Sequence, residues 1–352
     1  MISQFPLDIM HLVYLGVVKR LYTLLLQKKA GRFKLPHEDV KKLDALCEVL
    51  RKFCPADFAR KPRKLSDYKL FKATEFRRLL LYDGFILQKN HKHKEVYECF
   101  LLLACAMRIL LDSNLRALYS SDAHDLLVRF VKKSYRVLGS SFVVYNVHHL
   151  LHLVADCNLH GDPESFSCFK YETSLGQLKN FLLAPGRTLQ QIMCRIIERS
   201  LMPPSPSVIH VKKNLFEPHA NGPVLACVGN QFAGANMLGS VIRIATDTPR
   251  DSCVLTASGS VVVVENIVES DSDVYLIGRK FLNQSDYFKY PFQSSLLNIF
   301  QVSELGPLEK WNIVNIKQKV VFYPLTVDGN TDTSNWRENH GLCIPLLHSE
   351  PK

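Results

Sequence analysis

Near residue 202 the chain changes its hydrophobic rhythm. Up to that point apolar residues recur at helical spacing, as in Leu12, Leu15, Val18, Leu21 and Leu25. The break itself is Met202-Pro203-Pro204-Ser205-Pro206, a run that neither a helix nor a central strand tolerates. Beyond about residue 223 the apolar runs are short and β-branched: Val241–Ile244, Ser260–Val264, Val274–Ile277 and Val320–Tyr323. Turn signals separate them at Ser258-Gly259, at the acidic cluster Glu269–Asp273 and at Asp328-Gly329-Asn330. A chain built this way cannot form one repeating architecture. It must combine a helical part with a β-rich part, an α+β arrangement.

Within the first part, the spacing predicts helices over 11–26, from Pro36 through Leu50, and over 72–87, 95–111, 122–138, 145–156, 171–183 and 189–200. Pro36 sits where a helix starts, with Glu38 and Asp39 in the first turn to favour the dipole. Residues 1–8 are β-compatible. No apolar run reaches the roughly 18–20 residues that a membrane-spanning helix needs, and no charged, apolar leader pattern opens the sequence. The ten cysteines show no Cys-x-x-Cys spacing. They read as reduced, mostly core thiols of an intracellular protein.

The charge is lopsided. The chain carries a net +11, yet residues 1–222 hold 34 Lys+Arg against 20 Asp+Glu, and the remainder holds 10 against 13. The densest basic stretch contains Arg60, Lys61, Arg63, Lys64, Lys72, Arg77 and Arg78. Such an excess suits a polyanion such as DNA, because each phosphate contact releases condensed counterions. It also suits a solvated helical face. Tyr68, Phe71 and Phe76 interleave with the basic residues and could either stack on bases or face a local helical core.

Three constellations can carry chemistry. Asp8-x-x-His11 stands at the start of a helix, where the carboxylate can hold a metal or cap the helix. His148 and His152 are spaced i, i+4 on one helical face and can chelate an ion or pack; His149 occupies the place of the Glu in His-Glu-x-x-His. Glu172 follows the aromatic cluster Phe166, Phe169 and Tyr171, so partial burial is expected, and a buried carboxylate needs a partner or a metal. No dinucleotide fingerprint, Walker A loop or Gly-x-Ser-x-Gly elbow is present, which argues against nucleotide-dependent and serine-hydrolase chemistry.

Together these segments resemble a known family. Phe5-Pro6-Leu7-Asp8-Ile9-Met10-His11-Leu12-Val13-Tyr14-Leu15-Gly16-Val17 resembles the second-aspartate motif of the CACTA (En/Spm-type) DNA transposases. Asn146-Val147-His148-His149-Leu150-Leu151-His152-Leu153 resembles the Asn-x-His-x-x-x-His-Leu segment before that family's catalytic glutamate. Tyr171-Glu172-Thr173-Ser174-Leu175-Gly176-Gln177-Leu178-Lys179 resembles the block carrying the glutamate, with Tyr171 for Phe and Thr173 for a basic residue. The similarity covers about residues 1–200.

The resemblance implies an RNase H-like core with a DDE triad. There, carboxylates hold two Mg²⁺ ions, or Mn²⁺ in their place, for in-line attack on DNA phosphates. It makes Asp8 and Glu172 the catalytic metal ligands and His11, His148 and His152 their associates. The 164 positions between Asp8 and Glu172 exceed a minimal RNase H-like fold, so residues 1–35 and 144–200 are expected to form a partial core around a helical insertion, 36–143. A linker over 201–222 and a β-rich C-terminal domain over 223–352 follow. Only seven residues precede Asp8, and none is acidic. The expectation is therefore an incomplete core whose exposed sheet edge calls for a partner or a second copy. The functional expectation is a nuclear, transposon-derived DNA-binding protein with an incomplete catalytic site. The alternatives are a domesticated, non-enzymatic chromatin-associated protein and a protein-interaction scaffold.

Overall fold

The helical periods become helices close to the spans that their spacing predicts. The computed structural model describes residues 4–27, 31–89, 91–201, 215–225, 229–237, 239–270, 273–325, 336–338 and 340–347. The proline-rich break and Asp328-Gly329-Asn330 lie outside the described residues, as do Asp271 and Ser272 of the acidic cluster. A π-helix over Met10–Val18 continues into α1 (Lys19–Leu26). Then come α2 (His37–Phe53), α3 (Ala73–Arg78), a π-turn over Leu79–Asp83 and α4 (Gly84–Leu87). The long pair α5 (Lys94–Leu111) and α6 (Ser113–Leu138) is joined at Asp112, whose carboxylate accepts the N–H groups of Asn114 and Leu115 and caps α6. α7 (Tyr145–His160), α8 (Phe169–Lys179) and α9 (Thr188–Leu201) complete this part. Helix α5 is central: every residue from Cys99 to Leu110 is buried.

Residues 1–8 were expected to be β-like, the end of an RNase H-like strand. The described residues up to 201 contain no β-strand. The cause is local: the Asp8 carboxylate accepts the N–H groups of Met10 and His11, the bonding of a helix start rather than of a strand. Much of the apolar surface left uncovered in this part lies on its last two helices. α8 and α9 bury no residue, and Leu175, Leu189, Met193, Ile197 and Leu201 face outward.

The β-rich part starts earlier than expected, at β1 (Leu215–His219), and is entirely antiparallel. Its other strands are β2 (Asn230–Met237), β3 (Ser240–Arg243), β4 (Cys253–Thr256), β5 (Val261–Ser270), β6 (Asp273–Asp286), β7 (Phe300–Asn312), β8 (Ile316–Leu325) and β9 (His340–Pro345). Strand order runs β5-β4-β8-β9-β7-β6, and β6 pairs back onto β5. The six strands therefore close into a ring, which removes free edges there. β1 and β3 pair with β2, which joins the ring through β5. Phe322 of β8 stacks on Phe281 of β6 at 5.8 Å although the two strands are not neighbours, so both rings point inside.

Alternate residues of β8 point at the helices. Lys319 reaches Asp57, and Tyr323 reaches Asp83. Arg108 in α5 donates to the carbonyls of Leu81 and Pro345, and the rings of Phe85 and Phe288 stack at 5.6 Å. One apolar core thus runs through α1–α7 and into the barrel. Residues 215–352 expressed alone would expose that face. We expect such a fragment to lack a cooperative unfolding transition and to bind a hydrophobic dye; a sharp two-state transition would show that the barrel stands without the helices.

Candidate functional site

The site is built where the start of the π-helix meets the start of α8. Leu7 N–H donates to the Asp156 carboxylate of α7 at 2.8 Å, which fixes the chain just before Asp8. Further along the π-helix, Gly16 lies so close to the Asn146 amide that a Cβ there would sit 2.3 Å from Nδ2. Two of the sequence motifs thus interlock, and Gly16 is required by this close approach.

The other wall is set by Glu164. It accepts Tyr14 Oη–H at 3.1 Å and pairs with Arg77 Nη1 at 3.2 Å, while the Arg77 guanidinium lies 4.7 Å from the Phe169 ring centre. That chain of contacts places the first turn of α8 beside Asp8. Cys168 N–H, immediately before α8, donates to Asp8 Oδ1 at 2.9 Å. Asp8 Oδ1 also accepts Met10 N–H at 3.1 Å, and Oδ2 accepts His11 N–H at 3.1 Å and the His11 imidazole Nδ1–H at 2.5 Å. A carboxylate only accepts, so this pairing assigns the proton to Nδ1. Burial opposes ionisation of Asp8, but the Cys168 backbone, the His11 side chain, the Cys168 thiol and the Met10 backbone outweigh it and hold the carboxyl below its ordinary value. Burial and the neighbouring Asp8 and Glu172 charges push the Cys168 thiol up to about 11.

The structure brings Asp8 and Glu172 to the two sides of one imidazole. His11 Nε2 faces Glu172 Oε1 at 3.7 Å, and both side chains are more than half exposed, at 57% and 60%. The partial burial expected for Glu172 is not found, because α8 presents that face to solvent. Among the described residues, Asp8, His11 and Cys168 are the group that brings three metal-ligating atoms within 4.8 Å of one another. His148 and His152 lie on α7 with ring centres 5.6 Å apart, outside that group.

These residues do not fit the magnesium pair that the resemblance implies. Magnesium requires near-octahedral oxygen coordination. Here the donors nearest Asp8 are a nitrogen and a thiol, and the imidazole separates Asp8 from Glu172. Cys168 was not singled out from the sequence; its place next to Phe169, just before the glutamate motif, was the available signal. Asp156 and Glu164 are engaged as anchors of Leu7 and Arg77 rather than as site ligands.

The basic block divides. Arg60, Lys61, Lys64 and Lys72 are exposed on the segment leading into α3. Arg77 and Arg78, expected at a nucleic-acid surface, are buried, because Glu164 and Asp83 draw their guanidinium groups inward. Arg63 is partly buried and is held by both oxygens of buried Glu75 at 2.7 and 2.8 Å. Tyr68, Phe71 and Phe76 are buried in the helical core and present no stacking surface. No helix among the described residues is long and apolar enough to cross a membrane.

A protein-family model described as a domain of unknown function (DUF8592) matches residues 218–335, which takes in the strands from β2 to β8 and leaves the helical part and the Asp8 site outside it. No curated protein and no solved structure matches the chain.

Proposed function

We propose that this chain is a transposon-derived DNA-binding protein related to the CACTA (En/Spm-type) transposases, acting in the nucleus, with a carboxylate site incomplete for two-metal chemistry. One observation carries the reading: Asp8 and Glu172, 164 positions apart in separate motifs, meet across His11. The interlock of Gly16 with Asn146, from the motif between those of Asp8 and Glu172, supports the same reading. In this reading the segments 1–35 and 144–200 descend from an RNase H-like core. The imidazole between Asp8 and Glu172 and the thiol beside Asp8 do not suit a magnesium pair, so this reading rests on binding rather than on strand transfer.

The DNA contact is assigned to the exposed cations Arg60, Lys61, Lys64 and Lys72. The test is a fluorescence-anisotropy titration of duplex DNA at several salt concentrations. Replacing all four by Gln should weaken binding and flatten the slope of log K against log salt by about 1 for each phosphate no longer neutralised, up to about 4. An unchanged slope would remove DNA as the partner of this surface. Arg63→Gln belongs to a different class: it leaves buried Glu75 without its charge partner, and its effect should appear in stability.

A further inference from the structure

We propose that Asp8, His11 and Cys168 form a mononuclear Zn²⁺ site, with Glu172 as the carboxylate that orients His11. The inference concerns the same place as the proposed function but needs no DNA, so the two stand or fall separately.

The donor set is the first ground. One carboxylate, one imidazole and one thiol are together a ligand set that suits zinc and not magnesium. Geometry is the second. Zinc binds S, N and O at about 2.0–2.3 Å, so its tetrahedral donors lie roughly 3.3–3.8 Å apart. The three donor atoms here already fall within 4.8 Å. The remaining adjustment is on the order of 1 Å, and the exposed His11 side chain has room to make it.

The arrangement around the donors is the third ground. Asp8 is held by three backbone N–H groups, from Met10, His11 and Cys168. Its side-chain partners are the His11 imidazole and the Cys168 thiol, contacts that can be exchanged without unwinding a helix start. Across the ring, Nε2 points at Glu172 Oε1. A ligating histidine ordinarily gives its second N–H to a carboxylate, which fixes the tautomer and raises ligand basicity. When zinc takes Nδ1, the ring proton moves to Nε2, where Glu172 accepts it; the Cys168 proton leaves to solvent. Three protein ligands leave the fourth position open, on an exposed face, for water or an anionic oxygen.

The full chain, freed of metal with a chelator, should bind one equivalent of Zn²⁺ in competition with a chromophoric chelator. Co²⁺ in its place should show a thiolate-to-cobalt charge-transfer band. Cys168→Ser should abolish that band, while Cys194→Ser, at an exposed cysteine of α9, should leave it intact. His11→Gln should weaken binding by more than Glu172→Gln, whose loss should be about 10–100-fold. Circular dichroism of each variant separates lost binding from lost fold, and His11→Gln keeps the three backbone bonds to Asp8. A Co²⁺ complex without the thiolate band, a band that survives Cys168→Ser, or displacement of Zn²⁺ by an equal concentration of Mg²⁺ would overturn the assignment. None of these readouts moves if DNA binding fails.

Discussion

Lys319→Met should destabilise the protein by about 3–5 kcal/mol, the cost of breaking a buried charge cluster from one side. The Lys319 ammonium is 1% exposed and sits 2.5 Å from Asp57 Oδ2 and 2.7 Å from Asp251 Oδ1. It also donates to the Val241 carbonyl. Asp251 additionally accepts Ala56 N–H at 2.9 Å, so one cluster ties the segment after α2 to the barrel. Removing the ammonium leaves two carboxylates in a dry site. A triple variant, Lys319→Met with Asp57→Asn and Asp251→Asn, should recover part of the loss because no charge is then stranded. Urea denaturation measures both.

The same cluster predicts a pH dependence. Burial of Asp251 opposes its ionisation, yet the Lys319 charge and hydrogen bond outweigh that and hold its carboxyl below the ordinary value. A folded pKa below the unfolded one stabilises the protein above the unfolded value, about 3.9. That contribution is lost as pH falls through the lowered folded pKa. In Lys319→Met that lowering is lost and the Ala56 N–H and Arg250 remain to oppose burial, so the Asp251 pKa moves upward. The penalty of the substitution should therefore be largest near neutrality and shrink below about pH 4. A penalty independent of pH would show that lost packing, not the stranded carboxylates, sets its size.

Asp83→Ala should cost a similar amount, about 3–5 kcal/mol. Asp83 Oδ2 accepts Arg78 Nε–H at 2.7 Å and Oδ1 accepts Tyr323 Oη–H at 2.6 Å. Arg78 is 2% exposed, so the substitution strands a buried guanidinium and a buried phenol together. Asp83→Asn keeps an acceptor for Tyr323 or Arg78 but still leaves the Arg78 charge uncompensated, so it should cost only somewhat less. Arg78 also donates to the Arg60 carbonyl and so anchors the exposed basic segment. On the proposed DNA-binding reading, the Ala variant should also weaken DNA affinity although Asp83 is not among the four assigned cations. A cost near ~0.5 kcal/mol, ordinary for a surface substitution, would mean that this triad does not hold the helices to the sheet.

The helical and β-rich parts were readable because each residue's hydrophobic period depends on its near neighbours. Leu12 through Leu25 and Val320 through Tyr323 announce their elements locally. Closure of the barrel was not readable. It depends on β6 pairing with β5 as well as β7, and both pairings are settled by packing rather than by local preference. The shared core was hidden for the same reason. Residues 262 positions apart, Asp57 and Lys319, neutralise each other inside it.

The charge pattern misled at particular positions. Arg63, Arg77 and Arg78 look like surface cations in a basic run, but each finds a carboxylate on another turn or element and turns inward. A count of charges cannot distinguish a cation that faces solvent from one whose partner is buried beside it. The aromatic residues among them followed the hydrophobic effect into the core.

By itself the sequence determined the α+β division and the positions of Asp8, His11 and Glu172 in ordered motifs. It also determined the excess of positive charge before residue 222. These depend on residue type and short-range spacing. The tertiary structure alone decided that His11 stands between the two carboxylates and that Cys168 joins them. It also decided which cations of the basic block remain at the surface and that helices and barrel share a core. Each of those is a contact between distant segments, and its energy exists only once the chain entropy of bringing them together has been overcome.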